Sequence, residues 1–418
     1  MKAEVISIGD ELLIGQVVNT NASFICEKLT DLNIPVKKVS TVGDHRDYII
    51  NAFNVAIRNS DVIVVTGGLG PTHDDITRNC VAEFFNSKLI MNETVLSDIK
   101  ERFARFNRPL SKVNEEQALV PDVADVVRNL NGTAPGYWIE KDNKVFIVMP
   151  GVPREMKEMM TGEVSDKLKE LAAKQNLFYK RANILTTGIA ESTLFEKLGD
   201  ITELVDSGTL AFLPNYSGVR LRIGYSGEDE LLVQSKISEI EQRIRSKVGR
   251  YIYGREDDTL GKVVGRLLSE RGLTISVAES CTGGNISNEI TNYSGSSIYF
   301  ERGIVAYSNA SKVEILNVNE DTLQNFGAVS KETVEEMAQG IRGISGSDYG
   351  LAITGIMGPT GATNEKPVGT VFIACSDAKT VVSKKYNFGD DRIINKQRAT
   401  FAALELVRRI LLGINVES

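Results

Sequence analysis

The first 170 residues alternate between short apolar runs and stretches with helical spacing. Residues 61–66 (DVIVVT) form an almost wholly apolar run, which is typical of a central parallel strand buried on both faces. Residues 144–149 (KVFIVM) predict a further strand, and Phe24, Ile25, Leu29 and Leu32 share one helical face. This β/α alternation predicts an α/β domain with a doubly wound parallel sheet over residues 1–170.

The pattern changes over residues 171–255. Segments 181–187 and 219–225 alternate as strands do, whereas 191–198 and 231–248 have helical spacing. These elements predict a small α+β module, which we interpret as a connecting or dimerising segment.

From residue 256 to 418 the α/β alternation resumes. A helix is predicted at 259–271, a strand leads into 278–284, and further strands are predicted at 303–307, 349–354 and 371–376. A long helix closes the chain. We therefore predict a second α/β domain, joined without a Pro- or Ser-rich linker and so packed rather than swinging freely.

The 418 residues carry a net charge of −7, which gives no electrostatic reason to expect nucleic acid or an anionic membrane as a partner. The middle segment also lacks a basic or GXXG-type clamp for RNA. The cysteines form no CxxC pair, so a reducing, cytoplasmic compartment fits best. No signal peptide and no membrane-spanning run are expected.

Three loops that follow predicted strands combine glycine with polar residues: Gly9 and Asp10; Gly67, Gly68, Gly70, Pro71 and Thr72; and Gly151. Ligands bind beyond the carboxyl ends of parallel strands, and glycine lets the backbone approach a phosphate. Asp74 and Asp75 follow the second loop and indicate a Mg²⁺ pair, with Asp10 and Glu11 as further ligands. The alternative is that either aspartate caps the next helix.

His45 and His73 are the histidines of the chain, so residues 256–418 contain none. A hydrolase in that domain would need Lys, Tyr, Asp or Glu as its base, or a metal. Four clusters are candidates for this chemistry: 278–284 (AESCTGG), 295–297 (GSS), 306–312 (AYSNASK) and 354–359 (TGIMGP).

The first cluster could cradle a phosphate or could simply cap a helix. Lys312 is either a solvated lysine or a buried one, and burial would make its neutral amine a usable base. Cys281 is a competing nucleophile, which we interpret as structural because no histidine in its domain can form a thiolate pair with it.

The N-terminal motifs resemble the CinA family. They are 7–15 (SIGDELLIG), 19–21 (NTN), 66–72 (TGGLGPT) with Asp74 and Asp75, and 149–156 (MPGVPREM). That domain is similar to molybdopterin-binding proteins of the MogA and MoeA type, which implies a three-layer fold followed by a KH-like module. The resemblance implies hydrolysis of ADP-ribose to AMP and ribose 5-phosphate, with a divalent metal at Asp74, Asp75 and Asp10. It implies substrate contacts at Gly9, Asp10, Asn21, Gly67, Gly68, Gly70, Pro71, Thr72 and Gly151.

The C-terminal clusters resemble the nicotinamide mononucleotide deamidase domain of the same family, for which no cofactor is expected. The resemblance implies Ser297 as nucleophile, Lys312 as general base and Tyr307 as its assistant, with Ser296 as the alternative serine. It places Ser280, Thr282, Gly283, Thr354 and Gly355 in the pocket and Arg392 on the substrate phosphate. Two aspartates precede Arg392 where the family usually has one, so Arg398 is a fallback.

The resemblance covers essentially the whole chain and also implies a homodimer. The competing hypothesis is a molybdopterin-related or competence-associated binding or regulatory protein whose C-terminal domain is inactive. The presence of Ser297, Tyr307 and Lys312, and of Asp74 and Asp75, favours the enzyme.

Overall fold

The structure is a computed structural model that describes residues 1–173 and 178–416. Its chain divides into two compact units, Met1–Lys180 with Ser226–Gln234, and Arg181–Tyr225 with Ser235–Ser418. Within the described residues, no helix is both long and apolar enough to cross a bilayer.

The strands of the N-terminal domain are β1 (Ala3–Ile8), β2 (Val36–Val42), β3 (Val62–Thr66), β4 (Leu89–Met91), β5 (Leu119–Pro121), β6 (Asp125–Val127), β7 (Gly136–Lys141) and β8 (Lys144–Met149). The main sheet has the order β2-β1-β3-β8-β7-β6, and β4 pairs separately with β5. β1, β2, β3 and β8 are parallel, whereas β7 and β6 pair antiparallel at one edge. The sheet is therefore mixed, which corrects the prediction of a parallel sheet.

Helices cover both faces of this sheet, as the apolar run at β3 predicts. They are α1 (Asp10–Leu13), α2 (Thr20–Asp31), α3 (Arg46–Asn59), α4 (Thr77–Phe84), α5 (Glu93–Arg105), α6 (Lys112–Glu115), α7 (Pro153–Met159) and α8 (Ser165–Ala173). Val62 and Val64 pack in one cluster with α2 and α7, and Ile63 and Val65 pack in another with α3 and α4. The predicted three-layer arrangement is confirmed.

The middle segment is a small α+β module, as predicted. Its elements are β9 (Phe178–Thr186), α9 (Glu191–Leu198), α10 (Ile201–Val205), β10 (Thr209–Asn215), β11 (Gly218–Gly227), α11 (Glu230–Val248) and β12 (Ile252–Arg255). The strand order is β10-β11-β9-β12. α9 and α11 pack their apolar residues onto this sheet in one cluster.

The C-terminal domain is the second α/β domain. Its helices are α12 (Leu260–Ser269), α13 (Asn285–Thr291), α14 (Asn309–Leu316), α15 (Glu320–Phe326), α16 (Lys331–Ser345) and α17 (Arg392–Leu412). Its strands are β13 (Ile275–Glu279), β14 (Phe300–Val305), β15 (Tyr349–Gly355), β16 (Thr370–Ser376) and β17 (Val381–Asn387). The order is β14-β13-β15-β16-β17, with β13, β14 and β15 parallel and β16 and β17 antiparallel.

A buried ionic group joins α17 to the end of the middle module. Arg408, 1% exposed, donates to both carboxylate oxygens of Glu405, at 2.6 and 2.9 Å, and to the backbone oxygen of Arg250 at 2.8 Å. Glu405 also accepts from Arg409 at 2.8 Å. A buried carboxylate is stable only when its charge is matched in this way.

Candidate active sites

The Lys312 side chain is buried beside the ends of β13 and β14. Ser308 caps α14, which places Lys312 in the first turn of that helix. The side chain is 1% exposed, and Nζ donates to the backbone oxygens of Ala306 at 2.9 Å and Tyr307 at 3.2 Å. Nζ lies 3.3 Å from the Ser280 hydroxyl. Burial lowers the pKa of Lys312, because removal from water disfavours the ammonium form.

The Ser280 loop is fixed by the carboxylate immediately before it. Glu279 is fully buried at the end of β13. It accepts hydrogen bonds from the backbone N–H groups of Gly284 at 2.9 Å, Ile286 at 3.1 Å and Ser287 at 2.8 Å, and from the Ser287 hydroxyl at 2.8 Å. These bonds tie the loop to the start of α13 and so hold Ser280 in place.

Nζ of Lys312 is surrounded by oxygen acceptors. It donates to the backbone oxygens of Ala306 at 2.9 Å, Tyr307 at 3.2 Å and Ser308 at 3.5 Å, and to the Ser280 hydroxyl at 3.3 Å. Burial shifts this lysine toward the neutral amine, whose lone pair can accept a proton from a hydroxyl at that distance. Among the described residues Lys312 forms no ion pair that would hold its proton. A serine hydroxyl next to a desolvated lysine is a pair that nucleophilic catalysis without histidine can use.

The two residues that follow Ser280 have different roles: Cys281 is structural, and Thr282 is a candidate ligand-binding residue. Burial raises the pKa of Cys281 to about 12, so its thiol stays protonated near neutral pH. This agrees with the structural interpretation of Cys281. Thr282 is fully buried, and its hydroxyl has no hydrogen-bond partner within the described part of the chain. Buried hydroxyls normally find a partner, so Thr282 is available to a bound ligand.

Two cationic side chains lie on successive turns of α17. Arg392 donates to the Gly358 backbone oxygen at 2.8 Å and to the Tyr307 hydroxyl at 3.3 Å. Lys396 lies next to the glycine loop, since a Cβ added to Gly283 would be 3.6 Å from its Nζ. The structure thus brings Tyr307 and Arg392 within hydrogen-bonding distance and places Lys396 near them on α17. The roles that the resemblance implies for Tyr307 and Arg392 stay predictions.

Ser297 and Thr354 are not hydrogen-bonded to Lys312 within the described residues. Ser297 is exposed in the 3₁₀ turn Ser296–Ile298, and no hydrogen bond joins it to Lys312 in the described residues. Its role as nucleophile stays a prediction. Thr354 is buried near the end of β15, where its hydroxyl donates to the Ala328 oxygen at 2.7 Å.

The glycine loops of the N-terminal domain meet at one edge of its sheet, because β1, β3 and β8 are adjacent and parallel. The Gly67 N–H donates to the Met149 oxygen at 3.2 Å. Gly67 has φ +113°, and a Cβ there would lie 2.0 Å from the Ile8 oxygen. A Cβ on Gly151 would lie 3.3 Å from the Gly67 Cα. Only glycine at position 67 permits this approach.

Asn21 joins these loops from α2. Its Nδ2 donates to the Gly151 oxygen at 2.7 Å, and the Thr66 hydroxyl donates to the Pro150 oxygen at 2.9 Å. The Asn21 Oδ1 and the Thr77 hydroxyl are buried without a partner among the described residues. Both polar atoms remain available to a ligand at this edge.

The carboxylates of this site repel one another. Asp10 and Asp44 each accept the other's backbone N–H, at 3.2 and 3.0 Å, and Asp75 accepts from the Thr72 N–H at 3.0 Å. Burial raises the pKa of Asp44, and the negative charges of Asp10, Glu11 and Asp75 add to the increase. Carboxylates crowded in this way are the donors that a divalent cation prefers.

The acidic side chains of this site are not already arranged around one metal position. In the described ranges, no three acidic, histidine or cysteine side chains are arranged as metal ligands. The chemistry of the donors fits a divalent cation, which would compete with Thr72 for Asp75. Asp74 is exposed beside His73. α4 begins at Thr77 after Ile76, without a side-chain cap, so the interpretation of either aspartate as a helix cap is wrong.

Comparison with known proteins identifies the family. Residues 4–170 match the description "Probable molybdopterin binding domain", 181–254 the "Damage-inducible protein CinA KH domain", and 257–411 the "CinA C-terminal domain". A "CinA-like protein" of Kosmotoga olearia is 44% identical over 415 residues, covering 99% of this chain and 100% of the relative. The chain belongs to the CinA family. A "Putative competence-damage inducible protein" of Caldicellulosiruptor saccharolyticus is 41% identical over 413 residues, covering 99% and 100%.

Among solved structures, the "competence/damage inducible protein CihA" of Agrobacterium tumefaciens is 37% identical and covers 37% of this CinA family chain and 93% of its own. The TM-score is 0.36. The family assignment therefore rests on the full-length sequence relatives and the domain matches.

Two residues of these CinA sites were not singled out from the sequence. Asp44 follows β2, which is the parallel neighbour of β1, and the pair Gly43-Asp44 at a strand end is the signal that could have found it. Lys396 stands four residues after Arg392, which is the spacing that places two side chains on one face of a helix.

Proposed function

We propose that the chain is a bifunctional nucleotide hydrolase whose C-terminal domain deamidates nicotinamide mononucleotide. The observation that carries the proposal is the buried Lys312 amine 3.3 Å from the Ser280 hydroxyl, in a domain without histidine. Family membership supports this substrate, and the Ser280–Lys312 pair supplies the chemistry that an amide hydrolysis needs.

In the proposed reaction, neutral Lys312 takes the proton of the Ser280 hydroxyl while Oγ attacks the carboxamide carbon. The carbon–nitrogen bond then breaks, Lys312 returns the proton to the leaving group, and ammonia departs. Water, deprotonated by Lys312, next hydrolyses the acyl ester on Ser280. Nicotinate mononucleotide leaves, and the serine hydroxyl is restored.

The substrate phosphate would bind at Arg392 and Lys396. The guanidinium group presents several donors to a phosphate at once, and Lys396 adds a second positive charge beside Gly283. The Tyr307 hydroxyl accepts a hydrogen bond from Arg392, and the backbone oxygen of the same residue accepts one from Lys312. We propose that Tyr307 assists the proton transfer and that Thr282 contacts the bound nucleotide.

The choice between two serines is tested by ammonia release from nicotinamide mononucleotide. Ser280→Ala should abolish the activity, and Ser297→Ala is the matched control for the serine expected from the resemblance. We expect Ser297→Ala to retain most of kcat. The reverse result would assign the nucleophile to Ser297, and full activity in both variants would end the proposal of serine catalysis. Cys281→Ala tests the thiol in the same assay.

For the N-terminal domain, we propose metal-dependent hydrolysis of ADP-ribose to AMP and ribose 5-phosphate. Asp10, Asp75 and Asp44 would hold a divalent ion, with Asp74 as the further candidate from the sequence. The ion would supply positive charge to the phosphate oxygens when bound. The glycine loops at Gly67 and Gly151 would let the diphosphate approach the backbone, and Asn21 would orient it.

ADP-ribose cleavage should fall sharply on EDTA treatment and in Asp75→Asn. Asp74→Asn separates the two adjacent carboxylates, because Asp74 is exposed and Asp75 is bonded to Thr72. Ser280→Ala should leave this activity intact, since it belongs to the other proposed reaction. Cleavage that is insensitive to EDTA and to both aspartate variants would refute the metal proposal.

A molybdopterin-related binding role is the second candidate, and the match to a probable molybdopterin binding domain supports it. Measurable binding of molybdopterin, without hydrolysis of either nucleotide, would favour this role. We further propose that the chain forms a homodimer, which light scattering would test.

A further inference from the structure

A cavity of about 420 Å³ lies in the N-terminal unit, between the end of α5 and the start of α7. Its lining includes Arg105, Phe106, Arg128, Asn129, Gly132 and Arg154. Arg154 stands in the first turn of α7, three residues after Gly151 of the glycine loops. The cavity therefore lies next to the proposed ADP-ribose site, and its size is within the range of small-molecule pockets.

One wall of the cavity is a fixed turn. Asn129 is 8% exposed, and its Nδ2 donates to the Ala134 oxygen at 2.8 Å and to Glu155 at 2.7 Å. Its Oδ1 accepts from the N–H groups of Asn131 at 3.1 Å and Gly132 at 2.7 Å. Asn129 thereby ties this turn to α7, so the wall and the first turn of α7 keep a defined separation.

The cavity has an excess of positive charge. Arg128 donates to both oxygens of Asp98, at 2.9 and 2.6 Å. The lining holds the carboxylates of Asp98 and Glu101 against four arginines, Arg102, Arg105, Arg128 and Arg154. In the described part of the chain, neither Arg105 nor Arg154 forms an ion pair or a side-chain hydrogen bond. Two guanidinium groups are thus free to receive an anion.

The cavity also offers an aromatic surface. Phe106 is 57% exposed, and the Arg102 guanidinium carbon lies 5.7 Å from the centre of its ring. Planar bases stack on such rings, and a neighbouring arginine strengthens the interaction. An aromatic ring beside unpaired arginines matches a ligand that is planar at one end and anionic at the other.

We propose that this cavity binds a nucleoside monophosphate unit, with the phosphate at Arg105 and Arg154 and the base on Phe106. The inference rests on the proposed hydrolysis of ADP-ribose and assigns the cavity to the AMP half of that substrate. The other phosphate would then lie at the glycine loops, beside Gly151.

The test is calorimetric titration of the full chain with AMP, and separately with adenosine and with inorganic phosphate. Arg105→Gln and Arg154→Gln should each weaken AMP binding at least about tenfold, because each removes a charge-assisted contact. Phe106→Ala should weaken AMP and adenosine alike but leave phosphate unchanged. Arg108→Gln is the matched control: it is exposed in the same segment and does not line the cavity.

The outcomes separate this inference from the proposed reaction. Equal AMP affinity in Arg105→Gln, Arg154→Gln and Arg108→Gln would overturn the site, even if ADP-ribose is hydrolysed. Binding of AMP that depends on both arginines would support the site, even if the wild type hydrolyses no ADP-ribose. If hydrolysis occurs, the two variants should raise KM more than they lower kcat. An unchanged melting temperature shows that each variant is folded.

Discussion

Replacing Lys312 with methionine isolates the amine from the rest of the side chain. Methionine keeps an unbranched apolar stem, so the change removes mainly Nζ and its contacts. Those contacts are the hydrogen bonds to the backbone oxygens of Ala306, Tyr307 and Ser308 and the bond to the Ser280 hydroxyl at 3.3 Å. Without them, the Ser280 hydroxyl has no hydrogen-bonded base among the residues that the structure describes.

The expected loss in kcat follows from the role of the amine. Positioned general bases contribute about 10²–10⁴-fold, and a base that shares a unit with its nucleophile contributes toward the upper end. We therefore expect ammonia release from nicotinamide mononucleotide to fall by about 10³-fold or more. KM should change little, because Lys312 is not proposed to hold the phosphate. Lys379→Met, at an exposed lysine of the same domain, is the control.

The pH dependence provides a second measurement, and its sign is fixed by the depressed pKa of Lys312. Between that pKa and the ordinary value of 10.5, the unfolded chain binds one more proton than the folded protein. The free energy of unfolding therefore increases with pH in this window, and kcat increases with pH through the folded-state pKa. In Lys312→Met, the free energy of unfolding should no longer increase with pH in this window.

The reasoning would be refuted if Lys312→Met kept more than a tenth of the wild-type kcat while correctly folded. It would also be refuted if the wild type and Lys312→Met showed the same change in unfolding free energy between neutral and alkaline pH. The first result would show that Ser280 has another base, and the second that Lys312 is charged in the folded protein.

Three further substitutions test other parts of the structure. Gly67→Ala should destabilise the N-terminal domain by about 3 kcal/mol in thermal unfolding, because a Cβ at φ +113° would lie 2.0 Å from the Ile8 oxygen. Gly249→Ala is the control, since a Cβ there would meet open space. Arg408→Met should cost about 3 kcal/mol in denaturant unfolding, because Glu405 loses a buried partner. Arg392→Lys should raise KM for nicotinamide mononucleotide about tenfold with little change in kcat, as steady-state kinetics would show.

Amphipathic helices and wholly apolar strands were predicted well from the sequence. The spacing at 191–198 and the run at 144–149 predict α9 and β8 with the bounds that the structure has. β17 was not predicted, because Ser383, Lys384 and Lys385 interrupt its apolar pattern. It forms because Asp377 accepts the Lys379 and Thr380 N–H groups in a turn that brings β17 alongside β16. Strand direction at the sheet edges depends on such pairings and not on periodicity.

The candidate sites show the same limit. The absence of histidine and the presence of Lys312 could be read from the sequence, and they restrict the possible chemistry. The pairing of Lys312 with Ser280 could not, because it depends on β14 lying next to β13. Ser280 is 32 positions before Lys312 in the sequence, yet its hydroxyl lies 3.3 Å from Nζ. The sequence marks Asp44 as a residue at a strand end, but its contact with Asp10 likewise depends on β2 lying next to β1.

The contact between Arg408 and the backbone of Arg250 has a consequence for how the chain is made. During synthesis the middle module is complete before α17 exists, so the contacts of Arg408 with the backbone oxygens of Arg250 and Ile252 can form only after more than a hundred further residues have been added. The last helix thus completes a module that was translated long before it. Nascent chains that stop before Arg408 should expose this surface, which would let proteolysis distinguish unfinished chains from complete ones.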